Sequence, residues 1–286
     1  MSKKVVVGMS GGVDSSVAAY LLKKAGYDVI GVTMQIWQEE EVATQEENGG
    51  CCGISAVDDA RRVAEHLDIP YYVMNFKEEF RCRVMDYFVE EYLQGHTPNP
   101  CNTCNRFVKW EALLARSKEL GAEYIATGHY ARVDEDGRLF RGKDRQKDQS
   151  YFLYRVPKEI LSKVEFPLGG LVKSEVRQLA ADFGLVFPDN EESQDFCGGD
   201  VKSLIGMEQK KGEIVTLSGK VIGEHNGFWN YTVGMRKGLC VGGGIPYYVK
   251  AIDAVKNRVI VGFREEVLTT RFSIRAAVGN VKGECM

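Results

Sequence analysis

The run Gly8-Met9-Ser10-Gly11-Gly12-Val13-Asp14-Ser15-Ser16 limits the possible folds more than any other stretch of the chain. It follows Lys4 to Met9, which reads as a buried strand, and precedes Val17, Ala18, Leu21 and Leu22 at helical spacing. Strand, glycine turn and helix in that order bring backbone N–H groups and the positive end of a helix dipole to one point. Glycine permits the tight turn and the close approach of backbone to ligand. Ser10 and Ser15 add hydroxyl donors, so the loop suits phosphate. It lacks the Gly-Lys-Ser/Thr ending of the common mononucleotide loop, and it is not a dinucleotide fingerprint. Asp14 has two roles open to it: a carboxylate for Mg²⁺ beside a pyrophosphate, or the N-cap of the following helix.

Downstream, strand and helix patterns alternate. Strands are expected at Asp28 to Met34, Tyr71 to Asn75 and Tyr124 to Thr127. Helices are expected at Ser15 to Lys24, Ala56 to Leu67, Phe80 to Leu93 and Phe107 to Leu120. This alternation predicts an α/β fold, a doubly wound parallel sheet over residues 1–200, with ligands at the carboxyl ends of the strands. Met34 ends the second strand, where an adenine would lie; core packing is its competing role. Beyond Asp200 glycines multiply and short β-like runs appear at Glu213 to Leu217, Tyr247 to Asp253 and Arg258 to Phe263. They predict a small β-rich domain over 201–262. The stretch 263–286 reads as the start of an incomplete further β element, with a strand at Phe272 to Val278.

The net charge of −3 gives no global sign of nucleic-acid binding, so contact with RNA would need a local basic patch. Arg132, Arg138, Arg141, Lys143, Arg145 and Lys147 either track a phosphate backbone or decorate a solvated hairpin. Tyr151, Phe152 and Tyr154 alternate as in a half-buried strand. No apolar run approaches the roughly 20 residues of a membrane span, so a cytoplasmic protein without a membrane partner is expected. The eight cysteines are then better read as catalytic or metal-binding than as a disulfide framework. Cys101 and Cys104 stand in Thr97-Pro98-Asn99-Pro100-Cys101-Asn102-Thr103-Cys104-Asn105, whose prolines predict a stiff, extended segment. Cys104 would lie just before a helix opening near Asn105, where a thiolate is favoured. Cys197 ends the polar run Ser193-Gln194-Asp195-Phe196-Cys197. Cys82 reads as structural, and Cys51 and Cys52 as unremarkable thiols, zinc ligands or a resolving thiol; Cys240 and Cys285 carry no role.

The Ser-Gly-Gly-Val-Asp-Ser-Ser run resembles the pyrophosphate loop of the N-type ATP pyrophosphatases, which split ATP between its α and β phosphates. Within that superfamily the chain resembles the tRNA-specific 2-thiouridylases (MnmA/TrmU family). The resemblance rests on the phosphate loop, Thr-Pro-Asn-Pro-x-x-x-Cys-Asn, Ala-Thr-Gly-His-Tyr-Ala-Arg at 126–132, Lys-Asp-Gln-Ser-Tyr-Phe-Leu at 147–153, Phe-Pro-Leu-Gly at 166–169, Ser-Gln-Asp-x-Cys and Tyr-Thr-Val-Gly-Met-Arg-Lys-Gly at 231–238. It implies an enzyme that uses ATP and Mg²⁺ to replace an oxygen of a tRNA wobble uridine by sulfur, usually in tRNAs for Lys, Glu and Gln. By the same resemblance Gly8, Met9, Ser10, Gly11, Gly12, Val13, Asp14, Ser15, Met34 and Gly128 would bind ATP. Asn99, Pro100, Cys101 and His129 would meet the target base, and Lys147, Asp148 and Gln149 the tRNA. Cys104 matches the nucleophile and Cys197 the persulfide carrier, loaded by a sulfur-donor protein or a persulfide relay.

The chain departs from the family where Cys101 replaces an Asp that many members carry. Cys101, Cys104 and Cys197 together resemble the three-thiolate site of a 4Fe–4S cluster, an alternative route for sulfide. Two other readings stay open: a pyrophosphatase acting on a small molecule, against which the cysteine motifs argue, and a non-catalytic tRNA-binding or sulfur-carrying protein. The family normally continues into a full C-terminal β-barrel, whereas this sequence stops at Met286.

Overall fold

The computed structural model describes residues 2–36, 54–185, 209–239, 241–242 and 244–271. The chain forms two compact units, one of residues 1–86 and 99–199, the other of 87–98 and 200–286. In the first, strands β1 (Lys4–Gly8), β2 (Asp28–Gln35), β3 (Tyr71–Asn75), β4 (Tyr124–Ala126) and β7 (Val164–Glu165) make one sheet of order β3-β2-β1-β4-β7. Every neighbouring pair is parallel. The expected α/β doubly wound sheet is therefore present.

Side chains of β1 alternate between two cores, as a pleat requires. Val6 packs with Ile30, Val32 and Ile125, and with Phe76, Phe80, Val108 and Trp110. Val5 and Val7 pack on the other face with Val29, with Val17 and Leu22 of helix α1 (Val13–Lys24), and with Val176 and Ala180 of the helix Lys173–Asp182. Burial on both faces explains why β1 reads as an unbroken apolar run rather than an alternating one. Chain order reverses between β1 and β4: β2 and β3 lie to one side of β1, while β4 and β7 lie to the other. The loops leaving the carboxyl ends of β1 and β4 thus flank one crevice, the usual ligand position in open α/β sheets.

The second unit carries the expected β-rich sheet, of order β10-β11-β8-β9, built from Gly212–Thr216 (β8), Val221–His225 (β9), Tyr248–Asp253 (β10) and Arg258–Gly262 (β11). Its core is Ile214, Phe228, Trp229, Val249, Val259 and Val261. Strand β9 was not expected, because Val221-Ile222-Gly223-Glu224-His225 is short and interrupted by glycine. Phe272 to Val278 lies outside the described residues.

Two expectations are corrected. Residues 150–153 form a 3-10 turn, not a strand, and it buries Leu153 while Tyr151 stays exposed. The alternation of aromatics there came from a tight turn whose hydrophobic anchor is a single residue. Cys82, expected to be structural, is exposed on the helical turn Arg81–Met85. Among the described residues no helix is long and apolar enough to cross a membrane.

Candidate active site

The loop after β1 is built by glycine and closed by serine. Gly11 has φ +75°, and a Cβ there would lie 2.5 Å from the Ala56 carbonyl oxygen. Ser15 Oγ accepts from the Ser10 N–H at 3.2 Å and donates to the Gly12 carbonyl at 3.1 Å; Ser16 Oγ donates to the same carbonyl at 2.8 Å. Gly12 is the N-cap of α1, so Asp14 is not; it stands in the first turn, whose N–H groups have no partner inside the helix. Met9 faces inward at 3% exposure. Its N–H donates to the Val32 carbonyl and so is not offered to a phosphate, while its carbonyl accepts from Thr33 Oγ1. Met34 packs, half-buried, against the core under β2.

Asp14 is held from two sides. Lys173 Nζ donates to both carboxylate oxygens, at 2.8 and 2.9 Å, and the Tyr130 hydroxyl donates to Oδ1 at 2.8 Å. Lys173 is 8% exposed and opens the helix Lys173–Asp182; its backbone N–H donates to Asp144 Oδ2 at 2.9 Å. Sequence reasoning missed this lysine. Gly128, just after β4, presses on the same turn: a Cβ there would sit 2.6 Å from the Asp14 carbonyl carbon and 2.7 Å from the Ser15 nitrogen.

The cysteine segment differs from expectation. The helix opens at Pro100 rather than near Asn105, and runs through Pro100–Cys104, Asn105–Ala112 (π-wound) and Leu113–Glu119. Asn99 caps it, its side-chain oxygen accepting from the Cys101 N–H at 3.0 Å, and Pro100 fills the first position. Cys101 therefore stands in the first turn, with an intermediate exposure, and Cys104 one turn deeper, 9% exposed. Asn102 and Asn105 are buried with unsatisfied side-chain oxygens, so polar capacity is stored beside the thiols.

His129 links the two halves of the site. Its ring packs on Trp110 of the cysteine helix, centroids 5.7 Å apart, and on Phe166 at 6.3 Å. Thr127 Oγ1 is hydrogen-bonded to Nδ1 at 2.6 Å. Burial of the ring, with the charge of Lys109 adding to it, lowers the pKa to about 3, so His129 meets its surroundings as a neutral imidazole. The residue is half-buried by surface area, which leaves an edge open.

The Lys147-Asp148-Gln149 segment is partly spent on its own chain. Asp148 accepts from the Gly142 N–H at 2.9 Å and from the Ser150 hydroxyl at 2.9 Å. Gln149 accepts from the Tyr130 N–H and donates its own to the Tyr130 carbonyl, both at 3.0 Å. Lys147 lines an open cleft of about 500 Å³ shared with Lys173 and Arg177. The basic run forms a hairpin of β5 (Ala131–Val133) and β6 (Leu139–Arg141) and the loop after it. Arg138 is paired with Asp134 and Asp136, and Lys143 with Glu175. Cys51, Cys52, Cys197, Cys240 and Cys285 lie outside the described residues. Among the described residues no three His, Cys, Asp or Glu side chains are grouped to hold a metal ion.

Residues 3–198 match the family model described as the tRNA methyl transferase HUP domain, and residues 204–263 match the tRNA methyl transferase PRC-barrel domain. The tRNA-specific 2-thiouridylase MnmA of Lachnoclostridium phytofermentans is 55% identical over 280 residues, 94% of this chain and 78% of that protein. The protein of the same name from Carboxydothermus hydrogenoformans is 50% identical, over 93% of this chain and 76% of its own length. A solved U34-tRNA thiolase, NcsA from Methanococcus maripaludis with its [4Fe-4S] cluster, is 24% identical over 68% of this chain and 60% of its own, at a TM-score of 0.44; that likeness is too slight to bear on the site.

Gly128→Ala forces backbone apart at the first turn of α1. ATP affinity, measured by calorimetry, should fall about tenfold or more, roughly 1.4 kcal/mol. His129 binds a proton less readily folded than unfolded, so its contribution to stability is complete above about pH 6.5 and is lost as pH falls toward about 3. His129→Gln should flatten the fall of the thermal midpoint across that window relative to the parent.

Proposed function

The chain belongs to the tRNA-specific 2-thiouridylase family, and from that premise we propose that it adenylates the C2 carbonyl oxygen of a wobble uridine and replaces it by sulfur carried on Cys197. It is a tRNA-uridine 2-sulfurtransferase that uses ATP. The observation that carries the finer reading is the convergence at the β1/β4 crevice. The phosphate loop and Gly128 meet there, and Trp110 of the cysteine helix packs on His129.

ATP enters as its Mg²⁺ complex. The N–H groups of Gly11, Gly12, Val13 and Ser15 and the ammonium of Lys173 face the pyrophosphate as its charge develops. Asp14 keeps lone pairs for the substrate's Mg²⁺ while it positions Lys173. The uridine O2 attacks the α phosphorus and pyrophosphate leaves. The terminal sulfur of a Cys197 persulfide then adds to C2, and AMP departs with the former carbonyl oxygen. The Cys104 thiolate attacks Cys197 Sγ, breaking the S–S bond; the product keeps the outer sulfur as C2=S and a Cys104–Cys197 disulfide remains. An external thiol reductant and a sulfur-donor protein restore the persulfide. Asn99, Pro100, Cys101 and His129 line the base pocket in this reading, and Lys147 meets tRNA phosphate. Asp148 and Gln149 shape the segment from behind, through the Gly142, Ser150 and Tyr130 bonds. The tRNAs for Lys, Glu and Gln are the substrates.

One observation favours a second route. Cys101 and Cys104 stand three residues apart on one helix, so both thiols share a face. They fit two corners of a 4Fe–4S cluster whose third ligand would be Cys197, and the cluster would supply an open iron for sulfide.

Incubation with tRNA, ATP, Mg²⁺ and a persulfide donor, followed by nucleoside analysis, should yield 2-thiouridine. Cys104→Ser and Cys197→Ser should each abolish it while pyrophosphate release persists. Cys101→Ala should retain most activity in colourless protein; loss of product together with bound iron would move the chemistry to the cluster. Lys173→Ala should lower tRNA-dependent pyrophosphate release by about 100-fold or more, the range seen on removing a preorganised charge donor.

A further inference from the structure

We propose that Tyr151 and Tyr154 form a stacking platform for the anticodon-loop bases beside the target uridine. The inference rests on the thiouridylase reading above and adds a positioning surface that the phosphate loop and the cysteines do not supply.

Tyr151 is 63% exposed and Tyr154 57% exposed. Their ring centroids lie 5.8 Å apart with planes inclined by 36°, and among the described residues neither phenol has a hydrogen-bond partner. Large apolar faces held in water mark a surface built for contact. The turn that carries them is fixed from behind. Leu153 is fully buried, and the Phe152 and Val156 N–H groups bond the Gln149 and Leu153 carbonyls, each at 3.0 Å. Arg106 Nη1 donates to the Arg155 carbonyl at 3.0 Å, and Arg155 Nη1 donates to Thr103 Oγ1 at 3.3 Å. Arg106 and Thr103 flank Cys104 on its own helix, so the exposed rings are tied to the reacting thiol by two short contacts. Strand β6 packs against the same turn and ends in Arg141. Arg141 and Arg145 are exposed and make no ion pair among the described residues.

Aromatic faces beside an unneutralised arginine, here Arg141, are the surface that single-stranded RNA selects, with stacking for bases and charge for phosphates. The reaction itself creates the need. Sulfur must reach C2 from the face of the uracil ring, so the target base leaves the stack and its neighbours lose a partner. Tyrosine rings replace that partner without reading sequence.

The test uses the full chain and an anticodon stem-loop with 2-aminopurine beside the target uridine. The parent should quench the probe on binding. Tyr151→Ala and Tyr154→Ala should each lose most of the quench and raise KM for tRNA about tenfold, with an unchanged salt slope and an unchanged thermal midpoint. Tyr→Phe at either position should restore both, since stacking needs the ring and not the hydroxyl. Arg141→Ala with Arg145→Ala should instead lower the salt slope by about 2. Unaltered quench and KM in the double alanine variant would overturn the proposal. So would normal tRNA affinity with loss only of sulfur delivery from a donor protein, which would make the face a protein dock. Absence of 2-thiouridine with the parent enzyme would overturn the underlying reading instead.

Discussion

The geometry of the loop after β1 depends on the contact between Lys173 and Asp14. A phosphate site that carries a carboxylate in its own loop would repel its ligand. The buried ammonium, donating to both oxygens, cancels that charge before any nucleotide arrives. It also fixes the first turn of α1 to a helix more than 150 residues away in sequence, so the loop has one arrangement to offer. Tyr130 holds the same carboxylate from the β4 side, which closes the crevice around a shared acceptor. Breaking a pair this buried leaves one charge uncompensated, and the cost falls on geometry as much as on affinity.

The fold was legible because its signals are local. Val5-Val6-Val7 before a glycine turn, and Val17, Ala18 and Leu22 after it, state strand, loop and helix without outside help. The glycine turn after β1 was legible for the same reason. Lys173 was not: a lysine opening an amphipathic helix looks like any solvated end, and only the sheet topology brings it to Asp14. The cysteine segment departs from the extended chain that Pro98 and Pro100 suggest. Pro100 stands at the first helical position, where its fixed φ and missing N–H cost nothing, and Asn99 was the cap beside it. Tyr151 and Tyr154 were misread because alternation over four residues fits a tight turn as well as a strand.

The connection from the Lys147–Gln149 segment to the loop after β1 is short. Gln149 pairs with the Tyr130 backbone in both directions, and the Tyr130 side chain ends on Asp14. Two motifs that resemble separate binding elements in the sequence are adjacent beads of one hydrogen-bonded chain. The Lys-Asp-Gln segment is bonded through Tyr130 to Asp14, so a change in either motif reaches the other.

Gly128 has one more consequence, for how such sequences drift. A hydrogen is the largest side chain that fits between β4 and the first turn of α1. The two loops cannot diverge one at a time. Any lineage that enlarged position 128 would have to move Asp14 and Ser15 in the same step, and with them the partners of Lys173. Two short stretches far apart in the sequence are thereby constrained as a single unit.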